Sequence, residues 1–254
     1  MTMSRQSFLS DEVEITFIDE GEGEPILLIH GFGSNIAVNW STTNWVETLR
    51  RAGRRIVAFD NRGHGGSQKL YEPAAYHPAE MAKDAANLLA HLGIGRADVM
   101  GYSMGARIGA FLALDRPELV RSLILGGLGM ALVEGMGGQD EIVAALEAPG
   151  LDDVRGETGR IYRRFADQTG ADLKALAACM RGSRATIPAD RLAAIKAPTL
   201  VAVGSKDQVA GSGEALARLI PGAEFLEIPG REHLPATGDR VFKAGALDFL
   251  NRRA

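Results

Sequence analysis

Between Ala97 and Leu114 the chain passes from a short apolar run to a helical pattern across five residues, Gly101-Tyr102-Ser103-Met104-Gly105. Ala97-Asp98-Val99-Met100 reads as a buried strand, and Ala106 to Leu114, rich in Ala, Ile, Leu and Phe, reads as a helix. A strand that turns directly into a helix forces the turn residue into a strained backbone conformation and lifts its side chain clear of the sheet edge. Glycines two before and two after remove side chains that would collide there. The following helix sets its free N–H groups and positive dipole end beside the Ser103 hydroxyl. The bland alternative is a glycine-rich turn carrying an ordinary serine; the strand-turn-helix setting favours a nucleophile.

Around this turn, short apolar runs alternate with helical patterns, which predicts an α/β protein with parallel strands joined by crossover helices. Strands are expected at 26–29, 55–59, 97–100, 122–125, 199–203 and 224–228, and helices at 78–92, 213–220 and 239–250. Residues 12–19 alternate polar and apolar and predict an outer strand, paired with 6–9 across a Ser10-Asp11 turn. Gly21 to Pro25 reads as a turn. From Gly126 to Lys196 the strand rhythm stops and the pattern becomes helical, broken by glycines and prolines. The expected division is a core domain of residues 1–129 and 197–254, with a helical cap insertion at 130–196.

Composition narrows the function. Over 254 residues, 46% are hydrophobic and 24% charged, with a formal net charge of −4. Such a balance offers no basic footprint for nucleic acid. The densest basic cluster, Arg50-Arg51 with Arg54-Arg55, is read as a solvated helix end. Cys179 is the single cysteine, so neither an intrachain disulfide nor a cysteine-based zinc site is expected. Met1 to Ser7 lacks a signal-peptide core, and no run of roughly 18 apolar residues occurs. The expectation is a cytoplasmic protein acting on a small molecule, with no nucleic-acid or membrane partner.

A serine hydroxyl needs a base to take its proton, and the base needs a third group to orient it. Of the five histidines, His77 and His91 flank a helix, His64 lies on a glycine-rich loop, and His30 precedes the Gly31-Phe32-Gly33 turn. His233, on the loop after the last strand, is the expected base. The orienting acid should sit at the carboxyl end of another strand. Asp207, closing Val203-Gly204-Ser205-Lys206-Asp207, does so; Asp152, Asp153, Asp167, Asp172 and Asp190 fall in the insertion, where solvated faces explain them. An oxyanion hole needs two backbone donors, expected from the N–H groups of Met104 and Phe32.

Ser103, Asp207 and His233 in that chain order, with His30-Gly31-Phe32 after the third strand, resemble the α/β-hydrolase superfamily over nearly the whole chain. Asp60-Asn61-Arg62-Gly63-His64-Gly65 is similar to that family's loop after the fourth strand. The Gly-x-Ser-Met-Gly variant resembles small esterases, lactonases, carbon–carbon hydrolases and cofactor-free haloperoxidase-like members. In one departure, Glu232 stands where many relatives carry Gly before the catalytic histidine. The resemblance implies hydrolysis of a small carboxylic ester or lactone through an acyl-enzyme, with no metal or organic cofactor. Within the same fold the rivals are a carbon–carbon bond hydrolase and a perhydrolase; from another class, a ligand-binding receptor retaining the triad. Substrate choice is expected from the insertion, with Met130, Leu132, Met136, Ile161, Tyr162 and Phe165 as pocket liners.

Overall fold

The eight strands follow the apolar runs in a computed structural model that describes residues 4–252. Residues 1–3 and 253–254, at the ends of the expected core segments and including the start of the Met1–Ser7 stretch, lie outside the described residues. The strands are β1 (Gln6–Ser10), β2 (Val13–Glu20), β3 (Glu24–Ile29), β4 (Arg54–Phe59), β5 (Ala97–Tyr102), β6 (Val120–Gly126), β7 (Thr199–Gly204) and β8 (Glu224–Ile228). They form one sheet in the order β1-β2-β4-β3-β5-β6-β7-β8. The β1–β2 and β2–β4 pairs are antiparallel and all others parallel.

Connections between the parallel strands carry α1 (Trp45–Arg51), α2 (Pro78–His91) and α3 (Met104–Asp115). Between β6 and β7 lie only helices: α4 (Ala131–Glu134), α5 (Gln139–Glu147), α6 (Glu157–Thr169), α7 (Leu173–Gly182) and α8 (Ala189–Leu192). Then follow α9 (Gly213–Leu219), α10 (His233–Ala236) and α11 (Arg240–Arg252).

Strand alternation sends successive side chains to opposite faces. Leu27 and Ile29 of β3, with Val57, Val99 and Leu123, bury against α2 and α3 residues such as Leu88 and Ile108. Ile26 and Leu28, with Ile56, Met100 and Ile124, pack on the other face against Trp45, Leu49, Phe242 and Phe249 of α1 and α11. Both faces are covered, which is why these runs are continuously apolar. Ile142 and Leu146 of α5, Ala166 of α6, and Leu176 and Met180 of α7 form a separate small core.

Two expectations are corrected by long-range pairing. Glu24 and Pro25 are not turn residues: they pair with Arg54 and Arg55 in the β3–β4 ladder. The basic cluster divides as well. Arg50 and Arg51 reach Glu47 on the exposed face of α1, but Arg54 is buried, with Nη1 2.7 Å from Glu24 and 3.4 Å from Asp98. A charge inside the sheet edge persists because carboxylates meet it there.

Candidate active site

Parallel strands deliver all their carboxyl ends to one edge. There β3 hands over to His30–Gly33, β5 to Ser103, β7 to the Asp207 loop, and β8 to the loop ending at His233. Ser103 has φ 54° and ψ −113°, a conformation that costs on the order of 1–3 kcal/mol. Ser103 N–H donates to Gly126 O at 2.7 Å, which ties the strained residue to β6. The flanking glycines are sterically obligatory. A Cβ on Gly105 would fall 1.9 Å from Ile29 O, and one on Gly101 would fall 2.2 Å from Gly105 O.

The three residues expected to act together meet. Ser103 Oγ lies 2.9 Å from His233 Nε2, and His233 Nδ1 lies 2.8 Å from Asp207 Oδ2. The Asp207 side chain is fully buried, and its Oδ1 accepts from the N–H groups of Val209 and Ala210 at 2.9 and 3.0 Å. An ionised carboxylate only accepts, so Nδ1 carries the imidazole proton and Nε2 presents its lone pair to the serine hydroxyl. Tyr102 Oη donates to the backbone carbonyl of His233. Glu232, exposed, is the N-cap of α10 without a side-chain capping bond.

The loop opposite is held from beneath. His30 Nε2 accepts from Asn61 N–H at 2.9 Å, so its Nδ1 carries the proton and donates to Gly31 O at 2.8 Å. Gly31 N–H donates to Asn39 Oδ1 at 3.0 Å. Among the described residues no hydrogen bond engages the Phe32 N–H. Met104 occupies the first helical position of α3, where an N–H has no intrahelical acceptor. Two free backbone donors therefore flank the serine. Burial holds His30 at about 4; burial, then the nearby His30, holds His64 at about 3. Both stay neutral and serve the loops rather than proton transfer.

Phe32, Ser103 and Met104 line a cleft together with Met136, Tyr162 and Arg184 from the helical segment. The cleft encloses about 340 Å³, part of it open to solvent. Four expected liners do not reach it. Met130 packs beside Gly211 and Leu132 is buried in the core; Ile161 is 48% exposed. Phe165 turns toward the loop after β3, its ring 3.3 Å from where a Gly33 Cβ would stand. Tyr162 and Phe165, three residues apart, share one face of α6, but Tyr162 meets Phe32 at the cleft whereas Phe165 lies further along the helix, against the Gly33 loop. Arg107, Leu128 and Ser183 also line the cleft and, like Arg184, were not anticipated. An arginine one turn after the serine, on an otherwise apolar helix, was a legible signal for Arg107; nothing local marked the others.

Burial pushes the Cys179 thiol up to about 12, so it offers no rival thiolate nucleophile. Among the described residues no group of three or more His, Cys, Asp or Glu side chains is arranged to hold a metal ion. No helix among them is long and apolar enough to cross a membrane.

The model of a family described as the alpha/beta hydrolase fold matches residues 24–146. The chain is 30% identical over 258 residues to a protein of Variovorax paradoxus (strain S110) provisionally assigned as the carbamate hydrolase RutD; the match covers 91% of this chain and 93% of that one. The crystal structure of a hydrolase from Pseudomonas aeruginosa PA01 superposes with a TM-score of 0.82 at 26% identity, covering 98% of both chains. A thermophilic esterase from Thermogutta terrifontis, with malate bound, gives 0.74 at 26% identity, again over 98% of both.

Proposed function

The chain belongs to the α/β-hydrolase family, and from that premise we propose that it is a serine hydrolase cleaving a small carboxylic ester or lactone through an acyl-enzyme. The observation that carries this reading is the continuous hydrogen-bonded chain from Ser103 Oγ through His233 to Asp207. Ser103 Oγ attacks the carbonyl carbon while its proton passes to His233 Nε2. The negative charge that develops on the carbonyl oxygen is met by the Phe32 and Met104 N–H groups. His233 then gives the proton to the departing alkoxide, the carbon–oxygen bond breaks, and the acyl group remains on Ser103. Water, losing its proton to His233, repeats the attack and frees the acid. Asp207 holds the imidazole in the reactive tautomer and stabilises its cation.

In this reading residues 130–196 are a cap. Helices α5, α6 and α7 carry a small core of their own, and Met136, Tyr162 and Arg184 overhang the cleft. Such a cap excludes water and shapes the pocket.

The test is hydrolysis of a panel of p-nitrophenyl esters and lactones by the native chain and by Ser103→Ala, with intact mass measured after exposure to a fluorophosphonate. The native chain should gain one adduct, and the variant none. Turnover should fall on the order of 10⁴-fold or more in the variant. Ester hydrolysis persisting at a tenth of the native rate would overturn the acyl-enzyme mechanism.

A further inference from the structure

The cleft beside Ser103 holds two arginines and no acid to balance them. Arg107, on α3 one turn after the serine, is 2% exposed. Among the described residues its guanidinium donates only to backbone carbonyls, Ala185 O at 2.6 Å, Ala131 O at 2.9 Å and Leu132 O at 3.5 Å. Arg184, half-buried after α7, is held by the Tyr162 hydroxyl and by two thioethers. Its Nη1 lies 2.7 Å from Met136 Sδ, and its Nε and Nη2 lie 3.2 and 2.9 Å from Met180 Sδ. Among the described residues neither arginine forms an ion pair with a carboxylate, whereas Arg54, Arg62 and Arg163 each do.

Buried positive charge without a counter-ion is costly. Burial lowers Arg107 to about 10, with Arg184 nearby adding to the effect, and burial likewise lowers Arg184. A thioether sulfur is a weak acceptor and the Tyr162 hydroxyl an uncharged one, while a carboxylate matches the guanidinium fork in two parallel bonds. The site is therefore incomplete in the one respect that an anionic ligand would supply. Its small volume confines that anion to the same molecule whose carbonyl Ser103 reaches.

Building on the serine-hydrolase reading, we propose that the substrate carries a second, ionised carboxylate, and that Arg184 binds it by replacing the sulfurs of Met136 and Met180, with the buried charge of Arg107 reinforcing the attraction. The substrate class is then a hemi-ester, or a lactone bearing a carboxylate, rather than a simple alkyl ester. Arg184 selects the substrate without touching the reacting carbonyl.

The experiment compares p-nitrophenyl hydrogen glutarate with p-nitrophenyl valerate for an acyl-side carboxylate, and 4-carboxyphenyl butyrate with phenyl butyrate for a leaving-group one. The readout is the ratio of kcat/KM, anionic over neutral, in the native chain, Arg184→Gln and Arg184→Lys. A charge-assisted contact predicts a preference of about 10- to 100-fold in one of the two pairs. Arg184→Gln should abolish it, and Arg184→Lys should retain part, keeping the charge but not the fork. A native ratio near one in both pairs, or a ratio unchanged in Arg184→Gln, overturns the proposal. Should no ester turn over, the hydrolase reading fails by itself, and calorimetric titration with glutarate decides the subsite. Binding by the native chain and its loss in Arg184→Gln supports the carboxylate site. No binding, binding that survives the substitution, or Arg184-dependent binding of inorganic phosphate in place of glutarate overturns it.

Discussion

Tyr102 Oη donates a hydrogen bond to the backbone carbonyl of His233, joining the residue before the nucleophile to the loop that carries its base. Two segments 131 residues apart are thereby fixed at the point where their alignment sets the Ser103–His233 distance. Removing the hydroxyl with Tyr102→Phe keeps the ring against Phe242 but leaves that carbonyl unpaired. Stability should drop by about 1 kcal/mol. Ester kcat should fall several-fold with KM little changed, because the loop loses its anchor and not its contact with substrate. A denaturant titration beside steady-state kinetics checks both.

The third member of the chain can be tested without disturbing its scaffold. In Asp207→Asn the side-chain oxygen can still accept from Val209 and Ala210. The amide nitrogen then faces His233 Nδ1 and favours the wrong tautomer. We expect kcat to fall on the order of 10³- to 10⁴-fold, with the thermal midpoint shifted by no more than a few degrees. Native-like turnover in this variant would remove Asp207 from the mechanism.

Gly105 tests the steric account of the turn. With a Cβ only 1.9 Å from Ile29 O, Gly105→Ala must push α3 away from β3 or unfold it. We expect destabilisation of about 3 kcal/mol or more, read as lost soluble protein or a large fall in the unfolding midpoint. Gly93→Ala provides the contrast. A Cβ there meets open space, although its φ of +67° leaves a backbone cost of about 1 kcal/mol.

The buried histidines set the acid limit of stability. Unfolded, each takes up a proton near pH 6.5; folded, burial delays this to about 4 for His30 and about 3 for His64. Their folded values lie below the unfolded one, so the folded state is favoured fully above pH 6.5. Stability then falls as pH drops from there to about 3–4, by about 1.4 kcal/mol per pH unit for each histidine. Thermal midpoints from pH 7.5 to 4.5 should show this decline, and His64→Gln should make it shallower. An identical slope in that variant would remove His64 as a source.

The sheet was legible because burial writes itself locally: inner strands covered on both faces read as continuous apolar runs, and the outer residues 12–19 as an alternating one. The nucleophile turn was legible for the same reason: Gly101, Ser103 and Gly105 answer to backbone geometry within five residues. Asp207 and His233 could be singled out once the strands were known, since parallel strands send their carboxyl ends to one edge. What tertiary structure decided depends on which distant surfaces touch. The burial of Arg54 follows from Glu24 and Asp98 lying on neighbouring strands, and the place of Tyr162 rather than Phe165 in the cleft follows from where α6 meets the Gly33 loop. The meeting of Arg107 with Arg184 beside Ser103 has the same origin, for charge is a property of each residue but its compensation belongs to the neighbours that folding brings.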